Sequence, residues 1–234
     1  MLVSFPDSRT FRLLAACLEY PDEAMTASLD EARTHLQGDS AIPRGTRERL
    51  LRFLDYLGSR DLLALQENYV ALFDRGRATS LHLFEHVHGE SRDRGQAMID
   101  LKQMYEQHGM LLGPGQLPDY LPVFLEYLSI LEANEARSLL GETEAILQSI
   151  TTALSRRKSH YAYVTGAVLA LAGNTDPALP EDAHDDDANA PHDSEGLNAL
   201  DADYSEEPVR FVGASQPAVA PVQFHAAPPG RASA

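Results

Sequence analysis

Cysteine is almost missing from this chain: one residue, Cys17, in 234. That excludes an internal disulfide framework and a multi-cysteine metal site. Its setting, Leu13-Leu14-Ala15-Ala16-Cys17-Leu18, suits a small buried apolar residue rather than a nucleophile. No apolar run approaches the ~18–20 residues that cross a bilayer, so direct membrane insertion is not expected. The first residues, Met1-Leu2-Val3-Ser4-Phe5-Pro6-Asp7, have neither the basic region nor the long apolar stretch of a secretory signal. Basic side chains are scarce too, 19 against 35 acidic ones, for a net charge of −16. Nucleic acid and anionic membrane surfaces, which need clustered Lys and Arg, are therefore poor partners. A cytoplasmic protein is expected.

The acidity is uneven. Residues 174–234 hold 12 of the 35 acids and two of the 19 basic residues, Arg210 and Arg231, a net of −10 that leaves −6 for residues 1–173. From Asn174 onward Asp, Ala, Pro, Asn and Gly dominate, with Asp185-Asp186-Asp187 as the most charged point. Such a segment buries too little apolar surface to offset its ordering entropy. Residues 174–234 are therefore expected to form a disordered acidic tail, and residues 1–173 a single domain.

What is present in that domain is helical periodicity. Phe11, Leu14, Ala15 and Leu18 fall at i, i+3, i+4 and i+7 within 8–19. Asp22 caps a segment to 37 with Met25, Leu29, Ala32 and Leu36 inward, and 46–57 carries Leu50, Leu51, Phe53, Leu54 and Leu57. Ser59 caps a helix to Phe73 with Leu65, Tyr69, Leu72 and Phe73 inward, and Ser91 opens another with Leu101, Met104 and Tyr105. Pro118 starts a helix bearing Leu121, Phe124, Leu125, Leu128 and Leu131. Asn134 caps one running to the basic end Arg156-Arg157-Lys158, which matches the negative pole of a helix. Residues 159–172 supply the last, with Val164, Val168 and Leu171. No segment alternates with period 2, so the expected class is an all-α bundle of about seven to nine helices without a sheet.

The run from Ser80 to Met98 breaks this pattern. It packs three His, two Glu, two Arg and one Asp among Leu81, Leu83, Phe84 and Val87. His82-Leu83-Phe84-Glu85-His86 matches the H-x-x-E-H pattern of inverted zinc proteases. Were it helical, His82 and His86 would stand one turn apart with Glu85 beside them as general base, and a zinc-dependent hydrolase is the alternative that follows. The plainer reading is a helix-entry loop, in which His88-Gly89-Glu90-Ser91 turns the chain and Glu85, Glu90 and Asp93 pair with Arg92 and Arg94. Other enzymatic signals are absent: no G-x-G-x-x-G after a strand, no P-loop and no G-x-S-x-G elbow.

The run L-H-L-F-E-H-V-H-G-E-S-R-D-R-G-Q-A-M, read with Gln66 to Arg75 before it and Leu117-Pro118-Asp119-Tyr120-Leu121-Pro122 after it, closely resembles the nitrate reductase molybdenum cofactor assembly chaperones, the NarJ/NarW family. These sit among the maturation chaperones of molybdenum redox enzymes that include the TorD and DmsD types, and the likeness covers residues 8–172. It implies an all-helical cytoplasmic protein that is not an enzyme and holds no cofactor or metal of its own. The partner implied is the apo nitrate reductase α subunit. Its N-terminal peptide would be held while the molybdenum cofactor and an iron–sulfur cluster are inserted, before membrane docking. A chaperone for a different molybdoenzyme is the second alternative. The broader group carries a Pro-Asp-His element between helices; Pro118 and Asp119 fit it, and Tyr120 stands where the His would be.

A peptide-binding bundle holds an amphipathic client helix in an apolar groove with polar edges. The candidates here are Tyr69 and Phe73; His82, Phe84, Glu85, His86 and His88; Arg92 and Arg94; and Asp119, Tyr120 and Phe124. The three histidines would make recognition sensitive to pH. A monomer and a weak dimer are both open.

Overall fold

The structure, a computed structural model, describes residues 8–88, 92–174, 177–181 and 183; the side chains of His88 and Arg92 are outside that set. By compactness the chain divides into Met1–Ala190 and Pro191–Ala234, and every described residue belongs to the first unit. Eleven α-helices and one 3-10 turn make up the described residues, joined by an isolated antiparallel bridge between His82 and Tyr120 and by no strand. Eight helical segments are expected from periodicity. Two of them are broken in the structure, and one further short helix lies inside the His-rich run.

Helix α1 (Ser8–Leu18) buries Phe11, Leu14, Ala15 and Leu18 as their spacing predicts. The carboxylate of Asp22 accepts from Met25 N at 2.7 Å and caps α2 (Glu23–Ala27). The segment expected to continue to 37 breaks at Ser28, whose hydroxyl donates back to Ala24 O at 2.7 Å. Back-bonding of this kind competes with the helical ladder, and α3 (Leu29–Gly38) starts afresh. Helix α4 (Arg44–Ser59) follows, with Leu50, Phe53, Leu54, Tyr56 and Leu57 buried. The cap of α5 (Leu62–Phe73) is Asp61, which accepts from Ala64 N at 2.9 Å. Ser59, expected to be that cap, instead ends α4 by donating to Tyr56 O.

A 3-10 turn (Arg77–Thr79) leads to α6 (Leu83–His88) and α7 (Arg92–Gln107). The expected turn residues Gly89, Glu90 and Ser91 lie outside the described residues. Helix α8 (Leu121–Leu128) starts three residues later than Pro118, because Pro118 and Asp119 form a turn closed by Tyr120 N donating to Leu117 O at 3.2 Å, and Tyr120 is bridged to His82. Helix α9 (Ala133–Glu142) is preceded by Glu132, so Asn134 lies in its first turn instead of capping it. The expected continuous helix to Arg156 breaks at Thr143, whose hydroxyl donates to Leu140 O, and α10 (Glu144–Arg156) completes it.

Helix α11 (Tyr161–Ala172) is the centre of the bundle, against α10, α4, α1 and α9. It buries every residue from Tyr161 to Leu169, on all faces rather than on the one stripe of Val164 and Val168. A helix apolar all round belongs in a core. Burial of Val164, Val168 and Leu169 contributes roughly 1.5–3 kcal/mol each. The chain turns at Gly173, whose φ of 120° favours glycine. Beyond the expected domain end at 173 the chain still touches the body. Leu179 packs over Gly166, where a Cβ would stand 2.7 Å from Leu179 Cδ2. Arg52 donates to Glu181 O at 3.1 Å, and Ala183 N donates to Tyr163 Oη at 3.2 Å. The expected acidic tail otherwise lies outside the described residues.

Candidate functional site

The bridge between residues 82 and 120 joins the segments that lead into α6 and α8, and Asp119 ties them together. Leu121 N donates to Leu81 O at 2.8 Å, and Leu83 N donates to Asp119 O at 2.9 Å. The Asp119 side chain is fully buried. Its carboxylate accepts from Phe84 N at 3.2 Å, inside the first turn of α6, so it caps that helix from a remote point of the chain. The same carboxylate lies 3.3 Å from His82 Nδ1 and 3.7 Å from the Arg94 guanidinium. Arg94 also reaches Glu85 at 3.3 Å. Two of the ion-pair partners expected of the loop therefore meet, with Asp119 beneath them. His86 Nε2 lies 2.9 Å from Ser80 O. Arg77 adds a tie the sequence did not indicate: its Nε donates to Glu85 O at 3.0 Å and its terminal nitrogen to the same oxygen.

Aromatic residues close the inner side. Tyr69 donates to Leu18 O at 2.8 Å and meets the Tyr120 hydroxyl at 2.8 Å, while its ring packs on Phe73 at 4.7 Å. The His82 and Tyr120 rings lie 5.3 Å apart. Burial raises the Tyr120 phenol to about 12 and pushes Tyr69 further up, so both stay protonated donors. A cavity of about 530 Å³ opens in front of this frame, with Phe73, Arg75, Arg77, His82, Glu85 and Arg94 in its walls.

Of the residues expected from sequence, Tyr69, Phe73, His82, Phe84, Glu85, His86, Arg94, Asp119 and Tyr120 therefore form one neighbourhood. Phe124 does not face outward; at 4% exposure it belongs to the core beneath α8. The side chains of His88 and Arg92 lie outside the described residues.

The zinc-site reading fails on geometry. His82 precedes α6 and sits in the bridge, so it is not one helical turn from His86. Each ring is engaged elsewhere, His82 by Asp119 and His86 by a main-chain carbonyl. Among the described residues no group of three or more His, Cys, Asp or Glu could hold a metal. Thr10, His35 and Asp39 also meet, at 3.0 Å and 2.5 Å, but the Thr10 hydroxyl donates to Asp39, not to the imidazole. A nucleophile needs its proton directed to a base poised to take it; here the hydroxyl is a buried structural link. Cys17 is inert as well, its thiol pushed up to about 12 by burial.

Sequence reasoning missed a second concavity. It is an apolar groove of about 310 Å³ between α1, the α2–α3 segment and α4, with Leu13, Cys17, Met25, Leu29, Leu54 and Leu57 in its floor. Its signal was present: Leu13 and Ala16 give α1 a second apolar pair at helical spacing, and Tyr20, two residues beyond the helix, is 48% exposed.

The sequence profile of the nitrate reductase delta subunit family matches residues 39–164. The nitrate reductase molybdenum cofactor assembly chaperone NarJ of Escherichia coli strain K12 is 41% identical over 205 residues, which cover 85% of this chain and 83% of that protein. The probable chaperone NarW of the same organism is 38% identical over 201 residues, 86% and 83% of the two chains. A probable NarJ of Bacillus subtilis strain 168 is 35% identical over 165 residues, 70% and 89%. Among solved structures, a putative redox enzyme maturation protein from Archaeoglobus fulgidus superposes with a TM-score of 0.52. It covers 70% of this chain and 91% of its own at 21% identity, a likeness of fold.

Proposed function

We infer the function from one premise: this chain belongs to the nitrate reductase delta subunit family. It is a maturation chaperone for a molybdenum enzyme and not a catalyst. Its client is the apo catalytic α subunit of nitrate reductase, and what it grips is that subunit's N-terminal peptide. Binding holds the subunit open for insertion of the molybdenum cofactor and an iron–sulfur cluster, and delays docking at the membrane. The work is done in the cytoplasm, and no helix among the described residues is long and apolar enough to cross a membrane.

The observation that carries this reading is the frame around Asp119. The side chains of Asp119, His82, His86, Glu85 and Arg94 are engaged in holding the two loops in place, and none of these contacts pairs a nucleophile with a base. A pre-ordered surface with Phe73 in its wall and charged edges suits reversible capture of an amphipathic helix, because little entropy is lost on the chaperone's side. The test is calorimetry with a synthetic peptide of the α subunit's N-terminus. Saturable binding at micromolar concentration is expected. No heat up to millimolar peptide, or a fully cofactor-loaded reductase from cells lacking this chain, would overturn the reading.

A further inference from the structure

The last described residue, Ala183, stands in the wall of a third cavity, between α4 and the start of α11. It measures about 510 Å³ and shares no wall residue with the two concavities above. Arg52, Arg60 and Asp55 bring charge to it, and the Tyr56 and His160 rings stack at 4.3 Å beside them. The acids nearby are already engaged. Asp55 is taken by Arg33 at 2.6 Å, and Asp61, next to Arg60, caps α5. Glu48, which Arg52 also attracts from one turn along α4, is held by Arg44 at 2.8 Å. Among the described residues Arg52 and Arg60 are in no ion pair. A positive concavity thus opens on a domain whose residues 1–173 carry a net of −6.

The chain is led to this cavity by specific bonds. Pro177 is buried and Leu179 packs over Gly166. The Tyr163 hydroxyl donates to Pro180 O at 3.3 Å and accepts from Ala183 N at 3.2 Å, while Arg52 donates to Glu181 O at 3.1 Å. Next in the sequence come His184, Asp185, Asp186 and Asp187, the densest negative charge in the chain. Four extended residues reach about 13 Å, enough to cross a cavity of this volume. We propose that Asp185-Asp186-Asp187 folds back into this cavity with its carboxylates against Arg52 and Arg60, strapping the acidic segment to α4 and α11. Exposed ion pairs are individually weak. Here a tether of a few residues makes the encounter intramolecular, at millimolar effective concentration, an advantage that a separate acidic peptide lacks.

The experiment uses the full-length chain carrying a nitroxide on α4 at Glu48→Cys, one turn from Arg52 and outside the cavity walls. Cys17→Ala leaves that thiol alone. Broadening of the backbone amides of residues 185–187 is read by NMR at low salt. Strong broadening is expected, falling at least about threefold in about 0.5 M salt, where screening is short-ranged. Asp185→Asn with Asp186→Asn and Asp187→Asn should give the same fall, as should Arg52→Gln with Arg60→Gln, and the two sets combined should fall no further. Arg44→Gln with Lys102→Gln, an equal charge change outside the cavity, should leave the broadening within about 1.5-fold. Reversing both sides, Arg52→Glu and Arg60→Glu with Asp185→Arg, Asp186→Arg and Asp187→Arg, should restore it. Broadening that is absent in the parent chain, insensitive to salt and to both sets of substitutions, or not restored by the reversal overturns the proposal. So does broadening that passes to unlabelled chains in a mixed sample, which would make the occupant a second copy.

Discussion

Replacing Asp119 by alanine removes the post to which both loops of the candidate site are tied. The side chain is fully buried, so the change leaves Phe84 N without its acceptor and opens a small void. A buried donor left without a partner costs about 1–3 kcal/mol. The Arg94 contribution is smaller, since its contact with Asp119 is 3.7 Å long and Glu85, at 3.3 Å, remains to hold it. With a quarter of the Arg94 side chain exposed to water, about 0–1 kcal/mol is lost there. Relief from burying a carboxylate offsets part of the total, which leaves a net cost of about 1–3 kcal/mol. At about 2–4 °C per kcal/mol for a domain of this size, Tm should fall by about 2–12 °C. Asp119→Asn keeps an acceptor for Phe84 N and should cost only about 1 kcal/mol. Urea and thermal unfolding followed by circular dichroism measure both variants, and a cycle with Arg94→Ala isolates the ion pair, which should couple by less than about 1 kcal/mol. An alanine variant within about 0.5 kcal/mol of wild type would refute the argument. So would an asparagine variant as unstable as the alanine one, because charge and not the backbone bond would then be what matters.

Two further changes test other parts of the fold. Glu19 has a carboxyl raised above its ordinary range in the native state, so the folded protein binds more protons than the unfolded chain between the two pKa values, and stability falls as pH rises through that window; Glu19→Gln should raise Tm at pH 7 and give no gain at pH 4, and an equal gain at both values would count against the assignment. Gly166→Ala should destabilise the wild type by about 1 kcal/mol by evicting Leu179, yet stabilise a Leu179→Ala background by about 0.5–1 kcal/mol through helix propensity; the same sign in both backgrounds, by chemical denaturation, would mean that residues beyond α11 do not brace the core.

Periodicity made the buried faces of α1 and α4 legible because each is a plain two-sided problem, apolar inward and polar outward. It failed where a local or remote hydrogen bond overrode the pattern. The hydroxyls of Ser28 and Thr143 each turn back on their own helix, which no hydrophobic count registers. Helix α8 starts late because the preceding residues are paired to Leu81 and Leu83, forty positions away in the chain at most, and no local signal announces it. Phe124 illustrates the general limit: helical spacing marks burial, and burial of an aromatic does not say whether a groove or the core receives it. Within the site, opposite charges in one short run foretold the Arg94–Glu85 pair. Asp119 as its hub was visible only through the family resemblance, since one acid beside a proline has no distinguishing chemistry in isolation.

Tyr120, where the wider group carries histidine, follows from what surrounds it. Its backbone is fixed by the bridge to His82, and its side chain has to span from there to the end of α1 and to α5. A phenol does this with one group: the hydroxyl meets Tyr69 at 2.8 Å, approaches Leu18 O at 3.4 Å and bonds Glu19. Imidazole is shorter and places its polar atoms on the ring, so histidine at this position would leave Tyr69 with Leu18 alone and Glu19 with one fewer donor. The phenol also remains protonated throughout the physiological range, its pKa raised to about 12, whereas imidazole titrates within that range. The substitution thus exchanges a titrating group for a permanent donor at the point where the bridge meets the end of α1. Tyr120→His should therefore loosen the contact between α1 and the bridge and weaken peptide binding more than Tyr120→Phe weakens stability. Calorimetry and thermal unfolding of the two variants side by side separate these effects, and a Tyr120→Phe variant that loses neither stability nor binding would show that the hydroxyl does nothing beyond filling space.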